Sequence, residues 1–98
     1  MNNYSKILCV CRSGYVRSVE TKRNLNKRGY KDVLSVGVDM VSKATFDMLC
    51  KWAEIILLAK PEHGRYIDPE YESKVIAEFY IGDDTEQIVK KQLDKIGL

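Results

Sequence analysis

The sequence is short of several residue types, and each shortage narrows what the chain can be. Cysteines number three: Cys9, Cys11 and Cys50. An odd count, with no stretch that reads as a secretory signal, argues against a disulfide scaffold. It argues for reduced thiols in a cytoplasmic protein. Histidine occurs once, as His63, far in sequence from the cysteines. The spacing Cys9-Val10-Cys11 suits zinc poorly, so no metal site is expected. No apolar run approaches the ~18 residues of a membrane span, so no membrane association is expected. The net charge is +2, too small to argue for nucleic acid or a lipid surface as partner. The sequence also lacks repeats, linkers and low-complexity segments.

What is present fits an ordinary folded domain. The 98 residues suggest one domain spanning 1–98, long enough for one modest core. Strand and helix signals alternate along it. Ile7–Cys11 is a short apolar run and predicts a buried strand. Arg12–Val16 contains Ser13 and Gly14 and predicts a loop. A helix is expected from Arg17 or Ser18 to Arg28, capped by Gly29. Asp32–Val38 predicts a second strand. Ser42 is placed to cap a second helix carrying Phe46, Leu49, Cys50 and Ala53 at helical spacing. Glu54–Ala59 is the most apolar stretch and predicts a central strand. Pro61–Tyr66 predicts a short irregular or helical segment, and Lys74–Ile81 a fourth strand. Asp84 or Thr85 is placed to cap a last helix, Glu86–Ile96. Such alternation implies an α/β fold with a parallel sheet and helices on both faces. Ligands then bind beyond the carboxyl ends of the strands.

The first helix is unusual, with Val16, Val19 and Leu25 as its clear apolar positions. The expectation is that Lys and Arg stems cover the sheet while their charged heads reach water. The alternative is a basic surface for an acidic partner or a polyanion.

The chemistry concentrates in Cys11-Arg12-Ser13-Gly14-Tyr15-Val16-Arg17-Ser18. A cysteine ends a strand, five residues follow, and Arg17 and Ser18 open a helix. Five residues are about enough to wind a ring of backbone amides around a tetrahedral anion. The helix N-terminus adds free N–H groups and partial positive charge. Gly14 can supply a positive φ in the tight loop. Arg17 offers a planar fork that matches two phosphoryl oxygens. The same field favours a thiolate at Cys11, and the Ser18 hydroxyl can donate to that sulfur. A thiolate in an anion nest is set to attack a phosphate monoester and form a cysteinyl-phosphate. The competing explanation is that Cys11 is one more buried strand residue. The phosphate-binding set is thus Arg12, Ser13, Gly14, Tyr15, Val16, Arg17 and Ser18.

This segment, following Lys6-Ile7-Leu8, resembles the phosphate-binding loop of low-molecular-weight protein tyrosine phosphatases. The resemblance extends to Ser35-Val36-Gly37-Val38 and to Trp52–His63, and so covers nearly the whole chain. It implies a three-layer fold with a four-stranded parallel sheet in the order 2-1-3-4. It implies Cys11 as nucleophile, Arg17 as phosphate clamp and Ser18 as thiolate partner, with no cofactor. It implies a phosphorylated protein or a small phosphomonoester as substrate, with phosphotyrosine the family's own. The chain departs from the family pattern at Gly14, where Asn is usual, and at Val16, where a second cysteine is usual. Cys9 lies two residues from Cys11 on the strand and faces the same way. It could stand in for that second cysteine, but the expectation is a core residue.

The family also uses an aspartate, often Asp-Pro, between the fourth strand and the last helix as general acid. Asp68-Pro69 matches the dipeptide, whereas Asp83 and Asp84 match the location. Location is the stronger guide, because loops at the carboxyl edge share the mouth of the site. Asp83 is therefore the expected acid, Asp84 being placed to cap the last helix. Tyr15, Asp39 and Met40 are expected at the mouth, with Tyr66 and Tyr80 as further candidates. The family's paired aromatics after the acid loop are replaced by Thr85 and Glu86. Other uses of such a site are a phosphocysteine carrier resembling the IIB domains of sugar phosphotransferase systems, arsenate reduction, and a phosphate-binding module with weak turnover. The IIB domains lack the arginine found here at Arg17. The arsenate reductases need downstream cysteines, and Cys50 alone follows Cys11.

Overall fold

The computed structural model describes residues 6–12, 17–78 and 85–98, the side chains of Arg17 and Thr85 excepted. Four strands form one sheet: β1 (Lys6–Cys11), β2 (Asp32–Gly37), β3 (Ile55–Leu58) and β4 (Val75–Glu78). Their order is β2-β1-β3-β4, as the sequence resemblance implies. All neighbouring pairs are parallel, with Cys11 beside Gly37 on one side and Val10 beside Leu58 on the other. Backbone bonds continue the ladder past the strand ends. Val38 N–H donates to the Cys11 carbonyl at 2.9 Å, and Ala59 N–H to the Val10 carbonyl at 2.8 Å.

The alternation of β1 sorts its side chains onto two cores. Ile7, Cys9 and Cys11 face one layer with Leu25, Leu57, Val89 and Leu93. Leu8 and Val10 face the other with Phe46, Cys50, Ile56 and Ile67. The first layer is covered by α1 (Arg17–Lys27) and α3 (Thr85–Ile96), the second by α2 (Lys43–Trp52). Each fully buried Leu or Ile contributes about 1.5–3 kcal/mol by leaving water. Among the described residues, no helix is long and apolar enough to cross a membrane.

The helix ends follow local chemistry. Ser42 caps α2, its hydroxyl accepting from Thr45 N–H at 3.2 Å. Gly29 takes φ 98° after α1, and Tyr30 N–H closes back on the Leu25 carbonyl at 3.1 Å. Two 3-10 segments, Pro61–Tyr66 and Pro69–Lys74, link β3 to β4. The second ends on Lys74, whose ammonium donates to the carbonyls of Cys50, Lys51 and Ala53 at 2.9, 3.1 and 2.7 Å. One cation thereby satisfies the carboxyl end of α2.

Helix α1 meets the expectation that basic stems cover the sheet only in part. Among its described side chains, Ser18, Thr21, Asn24 and Leu25 are buried, Lys22 is half-buried, and Arg23 and Lys27 are exposed. Small polar groups let the helix lie close to the sheet, provided their hydrogen bonds are met locally. Asn24 shows this, donating to the Glu20 carbonyl at 3.0 Å and the Glu20 carboxylate at 2.9 Å. Arg28 fastens α1 to α3 through Asp94 at 2.8 Å and the Lys90 carbonyl at 3.3 Å.

Candidate active site

Cys11 ends β1 and Arg17 begins α1, so the sulfur lies where a strand's carboxyl end meets a helix's amino end. Cys11 is 3% exposed and Ser18 1%. Their side chains meet, with the Cys11 Sγ 3.1 Å from the Ser18 Oγ. A hydroxyl can donate to a thiolate or accept from a thiol, so this contact accommodates both protonation states. The first turn of α1 has orphan N–H groups and the positive end of the helix dipole, both of which favour an anion there.

The two other thiols sit in different surroundings. Burial, reinforced by neighbouring Cys11, pushes the Cys9 thiol far up from its ordinary range. Burial, with Asp47 nearby, pushes the Cys50 thiol up to about 11. Both stay protonated at neutral pH, which suits packing and not nucleophilic attack. Cys9 and Cys11 do share one face of the sheet, and Cys9 belongs to the packed interior on that side.

The mouth of the site forms from segments that follow β1, β2 and β3. Asp39 N–H donates to the Arg12 carbonyl at 2.8 Å, which draws the chain after β2 to the chain after β1. The Arg12 guanidinium turns outward, 70% exposed, and its Nε donates to the Asp39 carboxylate at 2.7 Å. That hydrogen bond and charge raise Arg12 further above its ordinary value. Met40, next in sequence, is exposed. Arg12 also lines a cavity of about 250 Å³ with Lys60, Glu62, His63, Arg65 and Tyr66. Arg65 donates to the Tyr66 hydroxyl at 2.9 Å and lies 5.0 Å from that ring's centre.

Of the residues expected from sequence, the structure brings together Cys11, Ser18, Arg12 and Asp39, with Tyr66 beside Arg12. Arg17 takes the first position of α1. Ser13, Gly14, Tyr15, Val16, Tyr80, Asp83 and Asp84 lie outside the described residues. Asp68 is engaged elsewhere: its carboxylate accepts from Glu70 N–H at 3.1 Å and caps the 3-10 segment that leads into β4. Lys60, Glu62 and Arg65 were not anticipated at the mouth. The signal was available, since Lys60 directly follows the most apolar strand and so must emerge at the carboxyl edge. Among the described residues, no cluster of three His, Cys, Asp or Glu side chains could hold a metal ion.

No family model and no curated protein matches the sequence. Solved structures do match. The Erwinia amylovora tyrosine phosphatase AmsI superposes with a TM-score of 0.77 at 16% identity, over 97% of this chain and 92% of that one. Vibrio vulnificus Wzb, solved in complex with benzylphosphonate, superposes with a TM-score of 0.69 at 20% identity, over 96% of this chain and 94% of its own. The resemblance read from the cysteine loop and the likeness read from the backbone thus converge: from end to end the chain has the fold of a tyrosine phosphatase, AmsI.

Proposed function

We propose that the protein is a cysteine-dependent phosphatase acting on phosphate monoesters, with aryl phosphates such as phosphotyrosine as preferred substrates. The observation that carries this reading is the 3.1 Å contact between Cys11 and Ser18 at the amino end of α1. The fold shared with a tyrosine phosphatase supports it. Three free thiols fit a reducing compartment, and the cytoplasm is the proposed location.

In the proposed reaction the Cys11 thiolate attacks phosphorus in line with the ester oxygen. The S–P bond forms as the P–O bond breaks, and the leaving oxygen takes a proton from Asp83. The backbone amides of residues 12–17 and the Arg17 guanidinium hold the three equatorial oxygens as charge shifts onto them. Water then attacks the cysteinyl-phosphate, giving its proton to the Asp83 carboxylate. The S–P bond breaks, phosphate leaves, and the electron pair returns to sulfur. Ser18 stabilises the thiolate at both ends of the cycle by donating to it.

The test is hydrolysis of p-nitrophenyl phosphate. Wild type should turn over, and Cys11→Ser should be inactive. Asp83→Ala should lose about a hundred- to ten-thousand-fold in kcat, the usual worth of a positioned acid. Asp68→Ala should keep its rate. Activity that survives Cys11→Ser would refute the nucleophile, and a reversed order of the two aspartates would move the acid to Asp68.

A further inference from the structure

Three cationic side chains converge beside the proposed catalytic mouth, and none of the three takes part in the phosphoryl transfer proposed above. The side chains of Arg12, Lys60 and Arg65 line the cavity of about 250 Å³ together with Glu62, His63 and Tyr66. Arg12 and Arg65 are near enough to repel each other. Gathering like charges in a concave surface is unfavourable unless something of opposite sign enters. Nearby carboxylates answer part of that charge. Asp39 holds Arg12 at 2.7 Å, and Glu62 lies 3.9 Å from the Lys60 ammonium. Among the described residues that line the cavity and their carboxylate partners, one net positive charge remains. Its donors are held in place: Arg12 by Asp39, and Arg65 by the hydroxyl and ring of Tyr66.

We propose that this cavity is a specificity subsite that takes the carboxylate of an acidic residue flanking the phosphorylated residue of a protein substrate. The proposal rests on the phosphatase reading above. Position supports it, because Arg12 directly follows the nucleophile in the chain and its carbonyl is tied to the Asp39 backbone. Charge selects the ligand. A phosphate brings about −1.5 to −2, more than the single net charge here answers, whereas a carboxylate brings one. Arginine forks also match a carboxylate's two oxygens.

The experiment compares three phosphotyrosine peptides that differ at the flanking positions, carrying Glu, Gln or phosphoserine. The readout is the ratio of kcat/KM for the Glu peptide over the Gln peptide, taken within each enzyme variant so that shared losses cancel. Wild type should favour Glu by about tenfold at low salt, the scale of one charged contact at a partly exposed site. The preference should shrink as salt screens it. Arg65→Gln and Lys60→Gln should each bring the ratio toward one, and Arg65→Lys should restore part of it. A wild-type ratio of one, with Cys11→Ser inactive, would overturn the subsite and leave the phosphatase reading standing. A preference confined to the phosphoserine peptide would overturn it as well. No hydrolysis of any peptide or of p-nitrophenyl phosphate would overturn both.

Discussion

The sulfur of Cys11 and the hydroxyl of Ser18 lie 3.1 Å apart across seven positions of chain, at the junction of β1 and α1. In the proposed cycle a donor so placed has most effect when the sulfur is charged, at the start of the reaction and as phosphate departs. Ser18→Ala should therefore lower kcat by about ten- to hundredfold, the effect of a hydrogen bond worth ~1.5–3 kcal/mol to a charged atom. Steady-state kinetics on an aryl phosphate would check this. An unchanged kcat would remove Ser18 from the cycle.

The three thiols should differ sharply in reactivity. Cys9 and Cys50 are buried and held protonated, Cys50 up to about 11. Brief treatment with iodoacetamide at pH 7 should label Cys11 alone, as read by peptide mass spectrometry. Inorganic phosphate or vanadate should slow that labelling by occupying the loop. Equal labelling of Cys9 and Cys11 would mean that neither environment distinguishes them.

Lys74 should be a stability residue with no part in turnover. Its ammonium answers three carbonyls at the end of α2. Lys74→Met keeps much of the stem and removes the donor. The loss should be about 1–2 kcal/mol, or a fall in Tm of roughly 5–15 °C for a domain of this size. Thermal unfolding followed by circular dichroism would measure it, and kcat at 20 °C should be unchanged.

Stability should also fall in alkali, and the sign follows from the raised thiols. A thiol whose folded pKa exceeds its unfolded value holds its proton longer in the native state. Its contribution is complete below about 9, the unfolded value, and is lost as pH climbs through the folded one. For Cys50 the window is about 9 to 11, and Cys9 shifts in the same direction. Each thiol should remove ~1.4 kcal/mol per pH unit within its window. Urea titrations at pH 8 and pH 10 would show the fall, and Cys50→Ala should make it shallower.

Much of this fold was legible because the strands announce themselves. Ile7–Cys11 and Ile55–Leu58 are unbroken apolar runs, and a strand buried on both faces has no polar alternative to confuse it. Gly29 marked the end of α1 for a similarly plain reason, since the chain turns there with positive φ. The inner face of α1 was legible only at Leu25. The rest of its described buried set, Ser18, Thr21 and Asn24, is polar, so hydrophobic periodicity gave no sign that these residues face the sheet. The 3-10 segment Pro69–Lys74 was missed as well, because its turn rests on Asp68 as a local cap and buries none of its own side chains. At the site, the pairing of Cys11 with Ser18 followed from their spacing around an anion loop. The partnership of Arg12 with Asp39 did not, because it depends on how β1 and β2 align in space.

Strand β1, which carries Cys11, is enclosed by neighbours on both sides of the sheet, β2 on one and β3 on the other. Fraying at either border, where β4 or β2 meets water, leaves β1's backbone protected, so its amides should exchange with deuterium among the slowest in the molecule. The Cys11 sulfur is thereby anchored to the part of the chain that should open last, and heat should abolish the proposed phosphatase activity and global structure together.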